Sequence, residues 1–246
     1  VTRSDIAGTP GDTQAAGTAS RTETANMSER SEERAGRGRF IAFEGGDGVG
    51  KSTQVRLLAD YLRGKQHEVV VTHEPGDSRI GAQVRSVVLD GGELDARAEA
   101  LLFAADRADH VASVISPALA RGASVLTDRY VDSSIAYQGV GRALGVSSVA
   151  ALSEFATEGL RPDLTVLLDL DPAQRRLRLE QLGQFDRIER EPDEIHDQIR
   201  RAFLELAGAA PERYLVLDAS RAADELAVDI AAAVEELVAS GRMSGE

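Results

Sequence analysis

The run Gly45-Gly46-Asp47-Gly48-Val49-Gly50-Lys51-Ser52 leaves few folds open to this chain. It satisfies the spacing G-x-x-x-x-G-K-[ST], which works only where a strand runs in and a helix runs out. Glycines let the backbone curl until successive N–H groups converge on phosphate oxygens. The positive N-terminal end of the following helix adds to the attraction. In such a loop Lys51 reaches the β- and γ-phosphates, Ser52 offers a hydroxyl to Mg²⁺, and Thr53 can contact a phosphate. Both flanks fit, with Phe40–Glu44 (FIAFE) reading as the strand and Gln54–Leu62 as the helix. The loop implies binding of a nucleoside triphosphate. It does not name a reaction.

Five short apolar runs recur along the chain: Phe40–Glu44, Glu68–Thr72, Ala123–Asp128, Leu164–Leu170 and Tyr214–Asp218. Several are near-continuous rather than alternating, as strands buried on both faces must be. Helical patterns separate them. The order predicts an α/β fold of three layers, the P-loop NTPase fold, with a five-stranded parallel sheet flanked by helices. Ser52–Gly64 predicts the first helix, ending at a glycine. Asp95–Arg121 predicts one long helix, with Leu101, Ala105, Ala108, Val111, Ile115 and Leu119 stepping by three or four and Pro117 placed to kink it. Helices over 171–183, 191–208 and 222–240 complete the set. One domain, 39–246, accounts for everything after a tail.

That tail, residues 1–38, is rich in Gly, Ser, Thr, Ala, Glu and Arg. Such a segment cannot bury enough surface to offset its ordering entropy, so a disordered extension is expected. It has no apolar core of a secretory signal. No run approaches the roughly 18 apolar residues that span a bilayer. The formal net charge of -13 disfavours nucleic acid and anionic membranes as partners. With no cysteine there is no thiolate metal site and no disulfide, which fits a cytoplasmic protein. The four histidines are not at metal-ligand spacing, which argues against a zinc enzyme.

A second signal, Thr127-Asp128-Arg129-Tyr130, closes the third predicted strand. Ligands of open α/β sheets sit beyond the carboxyl ends of strands, so Asp128 and Arg129 are expected in the same crevice as the loop. Asp128 is a candidate to hold Mg²⁺ through water, and Arg129 to pair with a phosphate.

Several separated motifs then coincide: FEGGDGVGKST, His73-Glu74-Pro75-Gly76, LLFAADR at Leu101–Arg107, DRYVDSSIAYQG at Asp128–Gly139, RPDL at Arg161–Leu164 and DRIE at Asp186–Glu189. In this combination and order the chain, from about Arg39 onward, resembles the bacterial thymidylate kinases. The resemblance implies an ATP:dTMP phosphotransferase that uses Mg²⁺ and works as a homodimer. It implies that Phe103 stacks on the thymine ring and Arg107 hydrogen-bonds the base. Their i, i+4 spacing puts both on one helix face. Ser134 resembles a position that helps read the base, Tyr137 one packed under the deoxyribose, and Gln138 a further part of that segment. Arg85 and Arg129 resemble the pair that grips the dTMP phosphate. Glu74 matches the acidic residue of the family's EPG turn, and Asp47 the residue that helps orient the acceptor.

Gly48 occupies a place where some members carry a basic residue. The chain thus resembles the subtype that supplies its catalytic arginine from a mobile lid, here about Arg175–Glu189. Arg178 is the first candidate, with Arg176 and Arg187 beside it. Three departures stand out: a lid poor in charge at Glu180, Gln181 and Leu182, His73 in place of a usual arginine, and Asp77 in place of a usual glycine. Two other readings stay open at this level. One is a P-loop kinase for another acceptor, such as dUMP, since a single methyl discriminates by only about 1–3 kcal/mol. The other is an inactive nucleotide-binding relative.

Overall fold

Strand β1 (Phe40–Glu44) is buried along its whole length. Its side chains alternate between two separate cores, and that alternation organises the molecule. Ile41 and Phe43 enter one core with Val55, Leu58, Val166, Leu168 and Ile230. Phe40 and Ala42 enter the opposite one with Val111, Ile115, Leu119, Val125 and Tyr130. A strand that must be apolar on both faces reads as an unbroken apolar run. The computed structural model describes residues 38–183 and 186–242.

Strands β2 (Val69–His73), β3 (Ser124–Asp128), β4 (Leu164–Asp169) and β5 (Tyr214–Asp218) complete the sheet. The order is β2-β3-β1-β4-β5, and every pairing is parallel. β1 therefore lies between β3 and β4, the point at which the strand order reverses and at which open α/β sheets bind ligands. The expected strands agree with the observed ones to within a residue at either end.

Helix α1 (Lys51–Gly64) follows β1 directly. Helix α2, residues 81–90, begins as Gly81–Arg85 and ends in a π-helical turn, Ser86–Asp90. Helix α3, residues 96–120, is the long helix expected over Asp95–Arg121. Its first segment, Ala96–His110, is capped by the Asp95 carboxylate, which accepts from the Arg97 N–H. A wide π-helical turn at Val111–Ile115 precedes Ser116–Ala120. Pro117 falls just after that turn, in Ser116–Ala120, where the wider π-helical path accommodates a residue without an N–H.

Helices α4 (residues 131–141) and α5 (Val146–Thr157) come next. Then follow α6 (Pro172–Leu182), α7 (Asp193–Ala209) and α8 (Ala223–Arg242). Helices α2, α4 and α5 were not among those expected from sequence. Phe203, Ile199 and Ala202 of α7 pack with Ala136 and Tyr137 of α4, over Leu167 of β4.

The expected disorder of residues 1–37 lies outside the described residues. Gly38, the last residue of the expected extension 1–38, is described, and its N–H donates to the Leu119 carbonyl at 2.9 Å. Among the described residues no helix is long and apolar enough to cross a membrane.

Candidate active site

The phosphate loop is held in shape by its neighbours. Gly45 adopts φ +128°, and a Cβ there would meet the Leu168 carbonyl oxygen at 2.4 Å. Only glycine permits that approach of β4. Lys51 turns back onto the loop, donating to the carbonyls of Gly46 at 2.7 Å and Gly45 at 3.2 Å. Burial, and Arg129 beside it, lower the Lys51 pKa, while Asp128, Asp47 and Glu44 oppose the shift. Gly50 carries φ +100° at the head of α1.

The Ser52 hydroxyl donates to Asp128 Oδ2 at 2.7 Å. These two oxygen donors, from α1 and the end of β3, fit Mg²⁺, which takes oxygen ligands and keeps several waters. Among the described residues no group of three or more His, Asp or Glu could hold a metal by itself. An ion at Ser52 and Asp128 would share its remaining positions with water and phosphate oxygens.

Arg129 follows β3 in the left-handed region, with φ +72°. That is an uncommon conformation for a side chain of this size. It aims the guanidinium back at the loop. Arg129 pairs with Asp47 and donates to the Gly45 carbonyl at 3.1 Å and Ser133 Oγ at 2.9 Å. The Tyr137 hydroxyl donates to Asp47 Oδ2 at 2.9 Å and accepts from Arg129 at 3.2 Å. Burial raises the Asp47 carboxyl, but Arg129 and Lys51 outweigh it and hold the group far below the usual range. Burial pushes the Tyr137 phenol well up, so it stays a neutral donor.

The side of the cleft away from Lys51 and Ser52 is built on α3, α4 and the turn after β2. Arg107 is buried and donates to Glu74 Oε2 at 2.7 Å, Ser134 Oγ at 3.0 Å and the Tyr130 carbonyl at 3.1 Å. Glu74 Oε1 lies 2.8 Å from His110 Nδ1, and His110 Nε2 lies 2.6 Å from Thr72 Oγ1. Burial raises the Glu74 carboxyl, and Arg107 with His110 overcomes that, leaving it below its ordinary value. Phe103, one turn before Arg107, lines the same cleft. Gln138 donates to Glu99 at 3.0 Å. Arg85 donates to the Pro75 carbonyl at 2.9 Å.

His73, the last residue of β2, and Asp77 beyond it face each other. Asp77 Oδ2 takes the His73 N–H at 2.9 Å, lies 2.8 Å from His73 Nδ1, and accepts the Thr72 hydroxyl at 3.0 Å. His73 and Asp77 thus brace the turn that carries Glu74.

The cleft that joins these parts encloses about 1070 Å³. Pockets that take a single drug-sized ligand measure about 300–1,000 Å³, so this cleft lies at the upper end of that range. Asp47, Gly48, Gly50, Lys51, Ser52 and Thr53 line one end. Glu74, Arg85, Phe103, Arg107, Ser134, Tyr137 and Gln138 line the other, with Asp128 and Arg129 between them. Gly45, Gly46 and Val49 face a separate small cavity behind the loop.

The three arginines expected on a lid part company. Arg178 lines the cleft, donating to the Ala219 carbonyl at 2.8 Å and, more weakly, to the Val49 carbonyl at 3.5 Å. Arg176 is exposed and pairs with Asp193 at 2.8 Å and Glu180 at 3.2 Å. Arg187 donates to the Val88 carbonyl at 2.9 Å and pairs with Glu99. The cleft thus takes in Arg178, and neither Arg176 nor Arg187 is part of its lining. Helix α6 lies directly over Gly48: with φ +76°, a Cβ there would come within 3.0 Å of Leu179 Cδ2. Sequence reasoning did not single out Arg175, whose side chain backs onto Gly46. A run of arginines gives no sign of which one turns inward.

The sequence model of the thymidylate kinase family matches residues 43–230. The chain is 55% identical over 206 residues to a thymidylate kinase of Clavibacter michiganensis subsp. michiganensis, covering 83% of this chain and 98% of that one. It is 50% identical over 205 residues to a thymidylate kinase of Bifidobacterium longum, covering 81% and 98% of the two chains. A thymidylate kinase of Deinococcus radiodurans is 50% identical over 200 residues, covering 81% and 97%. With a matching fold, a phosphate loop and a cleft continuous with it, the chain belongs to the thymidylate kinase family.

Proposed function

We infer that this chain transfers the γ-phosphoryl group of ATP to dTMP, giving dTDP and ADP. The observation that carries the reading is the continuity of one cleft from Lys51 and Ser52 to Phe103, Arg107 and Tyr137. A nucleotide switch has no use for an aromatic and an arginine poised at a second ligand, so an inactive relative is the weaker reading.

A phosphate oxygen of dTMP attacks the γ-phosphorus. A new O–P bond forms as the bond to the β,γ-bridging oxygen breaks, and that oxygen leaves with ADP. The attacking phosphate is already ionised, so no strong general base is required. Phosphoryl transfer asks chiefly for alignment and for cancellation of charge. Lys51 exchanges the Gly45 and Gly46 carbonyls for β- and γ-phosphate oxygens. Mg²⁺ held by Ser52 and Asp128 would neutralise the same oxygens. Arg178 supplies charge from the lid side. Arg129 and Arg85 hold the acceptor phosphate, with Asp47 and Tyr137 fixing the angle of Arg129.

Phe103 offers its ring face to the base. A guanidinium has five N–H donors, and Arg107 uses three of them internally, leaving two for the base. Two exposed apolar side chains, Leu101 on α3 and Phe155 on α5, support a homodimer face; Phe155 is 85% exposed. Light scattering after size exclusion tests that assembly.

A coupled assay of ADP release with dTMP, dUMP, dCMP and AMP tests the acceptor. Preferred turnover of dTMP is expected. Equal or better turnover of AMP would sink the reading.

A further inference from the structure

Behind the phosphate loop lies a second, much smaller cavity, about 30 Å³, between α6, α7 and the end of β4. Three buried polar atoms of residues lining it lack hydrogen-bond partners: Arg175 Nε, His196 Nε2 and Asp197 Oδ1. Arg175 and His196 are each only 7% exposed. A buried polar group left unpaired costs about 1–3 kcal/mol, and a charged one more. Arg200, at the same cavity, is already paired with Asp169 at 2.6 Å.

The chemistry of the three atoms is complementary. Arg175 Nε–H is a donor. The His196 ring hydrogen-bonds the backbone of Glu189, and burial, reinforced by Arg175, lowers its pKa against the opposing pull of Asp47, Glu189 and Asp193. A neutral ring that donates to Glu189 through Nδ1 keeps Nε2 as a bare acceptor. The Asp197 carboxylate oxygen is a second acceptor. One donor and two acceptors are what a single water satisfies, and a cavity of this size holds one or two waters.

The position gives that water a task. The Arg175 side chain lies against the loop, where a Cβ at Gly46 would meet Arg175 Cδ at 3.3 Å. On the far side, His196 holds Glu189 of the turn that borders the acceptor cleft. We propose that Arg175 is a positioning residue for phosphoryl transfer, joined through a buried water to His196 and Asp197 so that the phosphate loop and the lid turn move as one. The proposal rests on the kinase reading for its effect on rate, though the linkage itself does not.

Two variants separate the possibilities. Arg175→Met keeps the aliphatic stem on Gly46 and removes every donor. Arg175→Gln restores a neutral donor near Nε. With ATP and dTMP, the Met variant is expected to lose about tenfold in kcat, the equivalent of one hydrogen bond. KM for dTMP should stay within about twofold, and the Gln variant should recover most of the loss. Hydrogen exchange on the full chain gives a readout independent of turnover. Arg175→Met and His196→Phe should each speed exchange in both segments 45–50 and 186–191. Wild-type turnover in the Met variant, equal loss in both Arg175 variants, or exchange changes confined to the mutated helix would each overturn the proposal. Absence of dTMP turnover in the wild type would instead count against the kinase reading, with exchange still deciding the linkage.

Discussion

Tyr137 and Asp47, one on α4 and one in the phosphate loop, are tied by a 2.9 Å hydrogen bond from the phenol to the carboxylate. The bond crosses from the acceptor end of the cleft to the donor end. Arg129 closes the triangle, donating to the same phenol at 3.2 Å and pairing with Asp47. Removing the hydroxyl with Tyr137→Phe leaves the ring in place and takes one partner each from Arg129 and Asp47. A hydrogen bond to a charged group contributes about 1.5–3 kcal/mol. Loss of about tenfold or more in kcat/KM for dTMP is expected, with the melting temperature lowered by several degrees. Steady-state kinetics with dTMP as the varied substrate measure it, and an unchanged kcat/KM would remove the triangle from the mechanism.

Lys51 presents a simpler case. Its ammonium is spent on the loop's own carbonyls until phosphate arrives. Lys51→Met keeps the buried stem and deletes the charge that phosphoryl transfer needs. Charge-stabilising groups of this kind account for factors of about 10³–10⁵ in related phosphoryl transfers. Turnover should fall by about a thousandfold or more while circular dichroism and melting stay close to wild type. Retention of a tenth of the activity would show that Lys51 is not the main charge on the transferring group.

The lid arginines separate cleanly by partner. Arg178 faces the cleft, whereas the Arg176 side chain is 63% exposed and pairs at the surface with Asp193 and Glu180. Exposed ion pairs of this kind contribute about 0–1 kcal/mol. Arg176→Ala should therefore leave kcat within about twofold, and Arg178→Ala should lower it by about a hundredfold or more. The reverse ranking in parallel assays would move the catalytic charge to the outer face of α6.

How far the sequence carried is visible in the same helices. The strands were readable because parallel strands covered on both faces must be apolar throughout, as Phe40 to Phe43 are. Helix α4 was not, because it turns polar side chains (Ser133, Ser134 and Gln138) toward the cleft and carries a π-helical stretch at Ile135–Gly141. Both features blur a 3.6-residue period. The loop was legible as a local pattern, whereas Phe103 and Arg107 were singled out by the family resemblance alone. The fates of Arg175, Arg176 and Arg187 were not legible, since each depends on a partner that the fold brings up from a distant segment: Gly46, Asp193 and Glu99.

Gly48 tests how closely α6 is meant to lie on the loop. At φ +76° and with Leu179 Cδ2 3.0 Å from where a Cβ would stand, alanine there is strained twice over. Gly48→Ala should push α6 away from the loop. KM for ATP is expected to rise several-fold, with the change traced to the lid by faster proteolysis or hydrogen exchange in α6. Gly48→Ala combined with Leu179→Ala relieves the contact and should recover part of the loss. Failure of the second change to recover anything would mean that backbone strain at Gly48, rather than the packing of α6, sets the effect.

The strongest pH signature belongs to Glu44, at the end of β1. Its carboxyl is fully buried and takes the N–H groups of Tyr130 and Ser133 at 2.9 and 3.2 Å, with the Ser133 hydroxyl at 2.6 Å. Burial, assisted by Asp132, raises its pKa from 4.5 to about 8. A raised carboxyl means that the folded state holds a proton the unfolded chain has released. The folded state's advantage is therefore whole below 4.5 and is lost as pH climbs through about 8. Glu44→Gln keeps the shape and stays neutral at every pH. Its melting temperature should vary less than that of wild type between pH 4.5 and about 8, with the gap in its favour widening toward the upper end. On the order of a few kcal/mol is at stake, since each pKa unit corresponds to about 1.4 kcal/mol. The carboxyl of Asp132 is raised as well, by burial, and leaves a residual slope in both proteins. Parallel slopes for wild type and Glu44→Gln across that window would show that Glu44 is ionised in the folded protein, with the positive charges of Arg129 and Lys51 outweighing its burial.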